Sequence, residues 1–466
     1  MTQTPSENLE SNGRSLSLFQ ATSVGVGAIV GGGILALAGV AFATTGPSAL
    51  LAFALNGIIA LLTALSFAEM AAAFPESGGT YTFAKKVMTV RAAFAVGWVV
   101  WFASIVAAVL YALGFATFAV IVLQSLWPAA PAWLANRWIA TGLALLATAV
   151  YTLSLTRSSG GGGAWINVGK VLVFGILIAA GLAALPGAPA GTIRGGLQPF
   201  FAAGAAGLVQ AMGYTFIALQ GFDLIAAVAG EVRQPQRTIP RAMLASLGIA
   251  LLIYLPLLLV VATVGMAPGQ DVRSVGAAQP ENLIAIAAQN FMGTFGYWLV
   301  LVAGLLSMLS ALQANLYAAS RLALAMARDR TLPHRLEQLD ARRGTPATAV
   351  FATAAIVALL LLILPDVAAA GAASSLIFLI TFALAHVISM LMRRRGGGRA
   401  DTFRVPAYPA VPLAGVAACI GLAAFQGVSV PAAGIITALW LGFGGLLFLA
   451  LFARRAEAVD AAAEAR

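Results

Sequence analysis

The 466-residue chain contains little charge and few of the residues that bind metals or form cross-links. Only 9% of its residues are charged, and it has one cysteine, Cys419, and two histidines, His334 and His386. A single thiol excludes an internal disulfide framework and a cysteine metal cluster. Without a nucleophile or a set of metal ligands the sequence gives no basis for an enzyme. We expect no cofactor and no metal ion.

Apolar residues take the place of the missing charge. Hydrophobic residues make up 61% of the chain, and its mean hydropathy is +0.95, whereas soluble domains are about half apolar and a quarter charged. A run of about 20 apolar residues is long enough to cross a bilayer, and the sequence predicts an all-α membrane protein with twelve transmembrane helices. The predicted segments are residues 17–43, 47–73, 88–124, 137–156, 164–185, 202–230, 240–266, 291–321, 347–365, 368–392, 409–427 and 430–453.

The net charge of +10 follows the membrane topology and gives no indication of nucleic-acid binding. With the N-terminus in the cytoplasm, all but four of the 26 basic residues fall in the cytoplasmic tails and loops. The four exceptions are Arg137, Lys170, Arg194 and Arg273. This asymmetry follows the positive-inside rule. We therefore expect a multi-pass protein of the cytoplasmic membrane, whose tails, residues 1–16 and 454–466, are both cytoplasmic.

Glycines interrupt two of the predicted membrane helices at corresponding places in two halves of the chain. The first segment contains Gly31, Gly32 and Gly33, and the sixth contains the stretch 213–223 with a glycine at each end of its apolar core. Paired interrupted helices are the best sequence indication of a transporter's binding site at the bilayer midplane. The alternative is that the glycines only let neighbouring helices pack closely.

An interrupted helix exposes backbone groups suited to a zwitterion. In the first segment, the half-helix that starts at residues 31–33 directs N–H groups and a positive dipole end at the midplane, which suits a carboxylate. The carbonyl groups of residues 28–30 and 216–219 end the other half-helices and suit an ammonium group. These two interruptions predict a binding site for a small molecule that carries both charges.

Three polar residues inside the membrane leave alternatives open. Lys170 either extends to the cytoplasmic surface or is a buried ammonium group that binds and releases protons during transport. Asp223 either caps a half-helix or contacts a substrate or an ion. Gln220 either selects substrates or forms a neutral hydrogen bond between helices.

Further polar residues lie near the ends or on the faces of other segments. Glu69, at the inner end of the second segment, is predicted to pair with a basic residue at an interface or a gate. Ser307 and Ser310, in the eighth segment, either face the first interruption or bond back to their own helix. His386 is predicted to be an interior histidine whose hydrogen bonds are satisfied within the protein.

Several short motifs resemble those of the amino acid-polyamine-organocation superfamily, in the same order along the chain. They are GAIVGGGI at 27–34, FPESGGTY at 74–81 after Glu69, GFD at 221–223 followed by Pro235, Arg237, Ile239 and Pro240, Ser320-Arg321, AMARD at 325–329, and Leu332-Pro333. The resemblance implies a LeuT-like core of two inverted five-helix repeats, 17–185 and 202–392, with broken helices 1 and 6. Two accessory helices at 409–453 follow.

The resemblance also implies roles for individual residues. The amides of Gly31, Gly32 and Gly33 would hold a substrate carboxylate. Lys170 aligns with a fifth-helix lysine that stands in for a sodium ion in proton-coupled bacterial members. Four residues of the two interruptions would hold the substrate amine through their carbonyl groups: Ile29, Phe216, Ala218 and Leu219.

We therefore predict import of amino acids with protons, with small or apolar neutral amino acids as the default substrates. Leu219 and Gln220 depart from the aromatic and apolar residues of many relatives, so the side-chain selectivity of those relatives does not carry over. The alternative within the same fold is an amino acid or amine exchanger. The alternatives from other classes are an inorganic ion cotransporter and a sensor that binds without transport.

Overall fold

The computed structural model describes residues 15–127, 129–157, 164–340, 343–396 and 402–451. Its α-helices are α1 Leu18–Ile29, α2 Gly32–Thr45, α3 Ala49–Ala73, α4 Gly79–Val87, α5 Val90–Leu126, α6 Arg137–Arg157, α7 Ala164–Ala184, α8 Ala190–Gly196, α9 Gly204–Thr215, α10 Leu224–Ala227, α11 Pro235–Ala262, α12 Val272–Ala278, α13 Leu283–Arg328, α14 Ala347–Ile363, α15 Val367–Arg394, α16 Ala410–Ser429 and α17 Pro431–Leu451. Short 3-10 turns lie at Gly46–Ser48, Ala132–Ala135, Leu185–Gly187, Phe216–Leu219, Ala229–Glu231, Pro280–Asn282 and His334–Glu337.

Ten helical segments of the described chain are long and apolar enough to cross a membrane, where twelve were predicted. One of them, Leu18–Ala73, is 56 residues long and contains the first two predicted segments. The chain reverses within it at Gly46–Ser48, where Gly46 has a φ of +69°. The ninth predicted segment is the 17-residue helix α14, which spans about 26 Å at 1.5 Å per residue. A count of twelve remains a prediction.

Two predicted segments differ clearly from the helices observed. The sixth, 202–230, is a chain of short pieces: α9, a 3-10 turn and the four-residue α10. The eighth, 291–321, is part of the 46-residue α13, which begins at Leu283 and bends at Gly293, where φ is +68°. Apolar composition predicts where a helix crosses the bilayer, but it does not predict how far helical geometry continues beyond the bilayer.

The interrupted helices lie among the long ones. α5 packs along α13, α11 packs along α3 and α1, and α7 contacts α1, α11 and α13. Phenylalanine rings fill the space beside the second interruption: the ring centroid of Phe222 lies 6.0 Å from that of Phe67 and 5.5 Å from that of Phe382. The backbone that leaves helical geometry is thus surrounded by protein, the condition for irregular backbone at membrane depth.

Candidate transport site

The first membrane helix is interrupted at the predicted place. α1 ends at Ile29, Val30 is extended with φ −75° and ψ 115°, and α2 begins at Gly32. Gly31, between the two helices, has a φ of +149°, a region that residues with a Cβ atom rarely adopt. The glycine at this position lets one helix end and another start within two residues.

The second interruption is longer and is held by its own side chains. α9 ends at Thr215, a 3-10 turn covers Phe216–Leu219, and Gln220 is extended before Gly221, whose φ is +139°. The Asp223 carboxylate accepts hydrogen bonds from the Gly221 amide at 3.1 Å and the Gln220 side-chain amide at 2.9 Å. Asp223 therefore binds backbone within the break. In this conformation the Gln220 side chain forms a local hydrogen bond within one segment.

The two interruptions touch each other. A methyl group added to Gly33 would lie 2.8 Å from the Ala218 Cα, and one added to Gly221 would lie 2.8 Å from the Ile29 backbone nitrogen. Both distances are shorter than a carbon atom can make with these neighbours. Close packing, the alternative interpretation of the glycines, thus holds at these two positions, and its effect is to bring the two breaks into contact.

Tyr254 of α11 joins both breaks, and the sequence analysis missed it. Its side chain is fully buried, and its hydroxyl lies 2.6 Å from the Ile29 carbonyl oxygen and 3.1 Å from that of Ala218. A buried tyrosine hydroxyl normally has a hydrogen-bond partner, so a tyrosine within a membrane segment is itself a sequence indication of a polar contact between helices. Two carbonyls expected to hold a substrate amine therefore already accept a hydrogen bond from the protein.

Lys170 lies against the inner side of the first interruption. The residue is only 8% exposed, and its ammonium group donates to the Gly27 carbonyl at 3.2 Å and to the Ser310 hydroxyl at 3.4 Å. In this conformation the side chain does not extend to the membrane surface. Gly27 is in the last turn of α1, so the lysine supplies a donor to the end of that half-helix.

The two serines of α13 face the same region. Ser310 accepts a hydrogen bond from Lys170. Ser307 is only 1% exposed, and its hydroxyl has no hydrogen-bond partner in the described part of the chain. A Cβ atom on Gly31 would lie 3.2 Å from the Ser307 oxygen. Ser307 therefore presents an unsatisfied hydroxyl directly beside the first break.

Glu69 of α3 and His386 of α15 form polar contacts between these two helices, away from the breaks. Glu69 forms an ion pair with Arg393 of α15, and its second oxygen accepts a hydrogen bond from the Val405 amide at 3.2 Å, so the predicted pairing with a base is present. His386 lies 2.8 Å from the Ser66 hydroxyl and 3.2 Å from that of Thr63. It is a satisfied interior histidine, as predicted.

The conformation is closed around the breaks. Ile29, Phe216, Ala218 and Leu219 are each at most 2% exposed. The half-helix start at residues 31–33, the carbonyl ends, an ammonium group and a free hydroxyl meet in one buried region between helices. A buried polar site between two interrupted helices is typical of transporters of small solutes.

Comparison with known proteins places the chain within this class. Residues 20–453 match the family described as amino acid permease, and the chain belongs to that family. Its members are membrane transporters, and the chain is a transporter, not an enzyme.

Individual relatives are similar over most of the chain. A protein of Mycobacterium tuberculosis described as an uncharacterized transporter is 31% identical over 74% of this chain and 73% of its own length. The methylthioribose transporter of Bacillus subtilis is 25% identical over 95% of this chain and 94% of its own. The branched-chain amino acid permease BcaP of the same species is 25% identical over 88% and 87%.

Proposed function

We propose that this protein imports a neutral amino acid together with a proton by alternating access. The observation that carries the proposal is the contact between the Lys170 ammonium group and the Gly27 carbonyl at the end of α1. Family membership supports amino acid transport, and the lysine provides a titratable group at the place where the helix must move.

The substrate is proposed to bind between the two breaks. Its carboxylate would take the amides at the start of α2, Gly31 to Gly33, where the helix dipole is favourable, and the free hydroxyl of Ser307 lies close enough to add a donor. Its amine would take carbonyls from residues 29 and 216–219, in competition with Tyr254.

Lys170 would couple the movement of the substrate to that of a proton. While protonated, the lysine donates a charge-assisted hydrogen bond to the α1 end, which is stronger than a neutral one. After release of the proton to the cytoplasm the bond weakens and the inner half-helix is less firmly held. The proton and the substrate would then leave on the same side.

The arrangement in the membrane is part of the proposal. We place twelve spans in the cytoplasmic membrane with both termini inside, from the distribution of basic residues. Helices one to five and six to ten would form inverted repeats, because five crossings reverse the orientation of the second repeat. The two interrupted helices then begin their respective repeats and meet at the midplane.

The test uses Lys170→Met in proteoliposomes with an imposed pH gradient. One lysine corresponds to one proton per cycle, so each pH unit drives about a tenfold accumulation of substrate. Lys170→Met should lose this accumulation and retain substrate binding, and Lys86→Met, which removes an exposed lysine paired with Glu76, should behave as wild type. Full proton-driven uptake by Lys170→Met would overturn the role of Lys170, and wild-type uptake that requires a counter-substrate and ignores the pH gradient would favour the exchanger.

A second candidate substrate is a neutral polar solute without an amine. It is favoured by the occupation of two amine-binding carbonyls by Tyr254 and by the near full-length similarity to a methylthioribose transporter. A thermal-shift screen of the purified protein against the twenty amino acids, common polyamines and methylthioribose separates the two, since a ligand that binds the folded state raises its apparent stability.

A further inference from the structure

An apolar groove of about 490 Å³ opens between helices that do not contain the two breaks. Its walls come from α5, α14, α17 and the loop after α13. The volume lies in the range of sites for small molecules, roughly 300–1,000 Å³. Residues that line it include Trp98, Phe102, Leu336, Leu360, Trp440 and Phe443.

The indole nitrogens of this groove are already bonded within the protein. Trp98 donates to the Trp440 carbonyl at 2.9 Å, Trp440 donates to the Trp98 carbonyl at 3.2 Å, and Trp101 donates to the Thr353 hydroxyl at 3.3 Å. The Trp440 ring stacks on Trp98 and on Phe102 with centroids 4.5 Å apart. The aromatic wall is therefore rigid and offers a ligand hydrocarbon contact without indole donors.

Two arginines lie next in the sequence to lining residues of the groove: Arg335 precedes Leu336, and Arg330 is two residues before Leu332. The loop that supplies Leu336 also carries Arg330 and Arg335, both exposed, and neither guanidinium has an acidic partner among the residues that the structure describes. The nearby Glu337 carboxylate is engaged by His334 at 3.0 Å. A hydrocarbon groove with two exposed cations on one of its lining loops fits a molecule with an apolar tail and an anionic head.

We propose that this groove binds an anionic phospholipid of the bilayer, with one acyl chain against Trp440 and Phe443 and the phosphate at Arg330 and Arg335. None of its lining residues belongs to the two breaks. A zwitterionic phospholipid fills the groove equally well but gains less from the two arginines, since its head carries no net charge. The selectivity of the site therefore comes from its two arginines.

The test compares retention of phosphatidylglycerol and phosphatidylcholine by native mass spectrometry of the full chain in mild detergent. With two arginines near the headgroup, we expect a preference of roughly thirtyfold for phosphatidylglycerol. The Arg330→Gln/Arg335→Gln protein should retain both lipids equally. Leu439→Trp, which fills the groove at a lining position, should lose both lipids. Arg237→Gln, at an exposed arginine of α11, is the matched control and should keep the preference.

Three results would overturn the proposal. One is equal retention of the two lipids by the wild type. Another is an unchanged preference in the double arginine variant, whose correct folding its elution profile and thermal stability would establish. The third is a dimer that Leu439→Trp dissociates without any change in bound lipid, which would assign the groove to a second copy of the chain.

Discussion

Replacement of Tyr254 by phenylalanine tests whether one hydroxyl holds the two breaks together. The substitution removes a single oxygen from a fully buried ring and keeps its packing, including the edge contact with Phe53 at 5.9 Å between centroids. The hydroxyl has one hydrogen and two acceptors, the carbonyls of Ile29 and Ala218 at 2.6 and 3.1 Å. In the variant both carbonyls lose this donor.

The size of the effect follows from those two contacts. A buried polar group left without its partner costs about 1–3 kcal/mol, while single hydrogen bonds between membrane helices average about 0.6 kcal/mol with a maximum near 1.7. Because the shorter contact is strong and the longer one shares the same hydrogen, we expect Tyr254→Phe to lower stability by about 1–2 kcal/mol. If a substrate amine binds the same carbonyls, it replaces the lost donor.

The assay is thermal unfolding of purified protein with and without the amino acid that gives the largest shift in the screen. The substrate should restore more stability to Tyr254→Phe than it adds to the wild type. Tyr297→Phe is the control, since it removes a partly buried hydroxyl that contacts Ser125 at 3.0 Å, away from the breaks. If Tyr254→Phe behaves as Tyr297→Phe does, or if substrate stabilises variant and wild type equally, the shared-carbonyl reasoning is wrong.

Two further substitutions test the backbone and the inner end of the bundle. Gly221→Ala places a methyl group on a residue with φ +139° and close neighbours. We therefore expect it to lose at least about 1–3 kcal/mol of stability in thermal unfolding and to lose uptake. The control Gly248→Ala has open space around the new methyl group and should be neutral or stabilising by up to about 1 kcal/mol in the same assay. Glu69→Gln leaves the mostly buried Arg393 without its carboxylate and should cost up to about 3 kcal/mol; Glu69→Gln/Arg393→Gln should recover part of that loss, and an equal or greater loss in the double variant would contradict the pairing.

The sequence located the interruptions because their cause is local. Glycine is the residue that accepts the φ values of Gly31 and Gly221 without strain, and the run of apolar residues around them placed both in the membrane. Lys170 could likewise be recognised from the sequence as an unusual residue, since charged residues are rare in a membrane segment of this composition. The contacts that these residues make with neighbouring helices could not be predicted from the local sequence.

The missed features depend on contacts between distant parts of the chain. Tyr254 meets Ile29 across 225 residues and Lys170 meets Gly27 across 143, and no local pattern encodes either pairing. For Gln220 the sequence left two alternatives open, substrate selection and an interhelical hydrogen bond, and in this structure its side-chain amide donates to Asp223 three residues away. The sequence does not determine which partner a polar side chain takes where several partners are within its reach.

Two donors from neighbouring helices stabilise the interrupted first helix, and they differ in how readily they release a proton. Broken helices in a membrane leave carbonyls that must find donors; here Gly27 has the Lys170 ammonium group and Ile29 has the Tyr254 hydroxyl. The phenol keeps its proton throughout the physiological pH range, so its contact is constant. In the proposed mechanism, the lysine is the donor whose charge changes with the side to which the site opens. The proton-dependent step that we propose at this helix end would then belong to Lys170, and Tyr254 would supply the contact that remains while that step occurs.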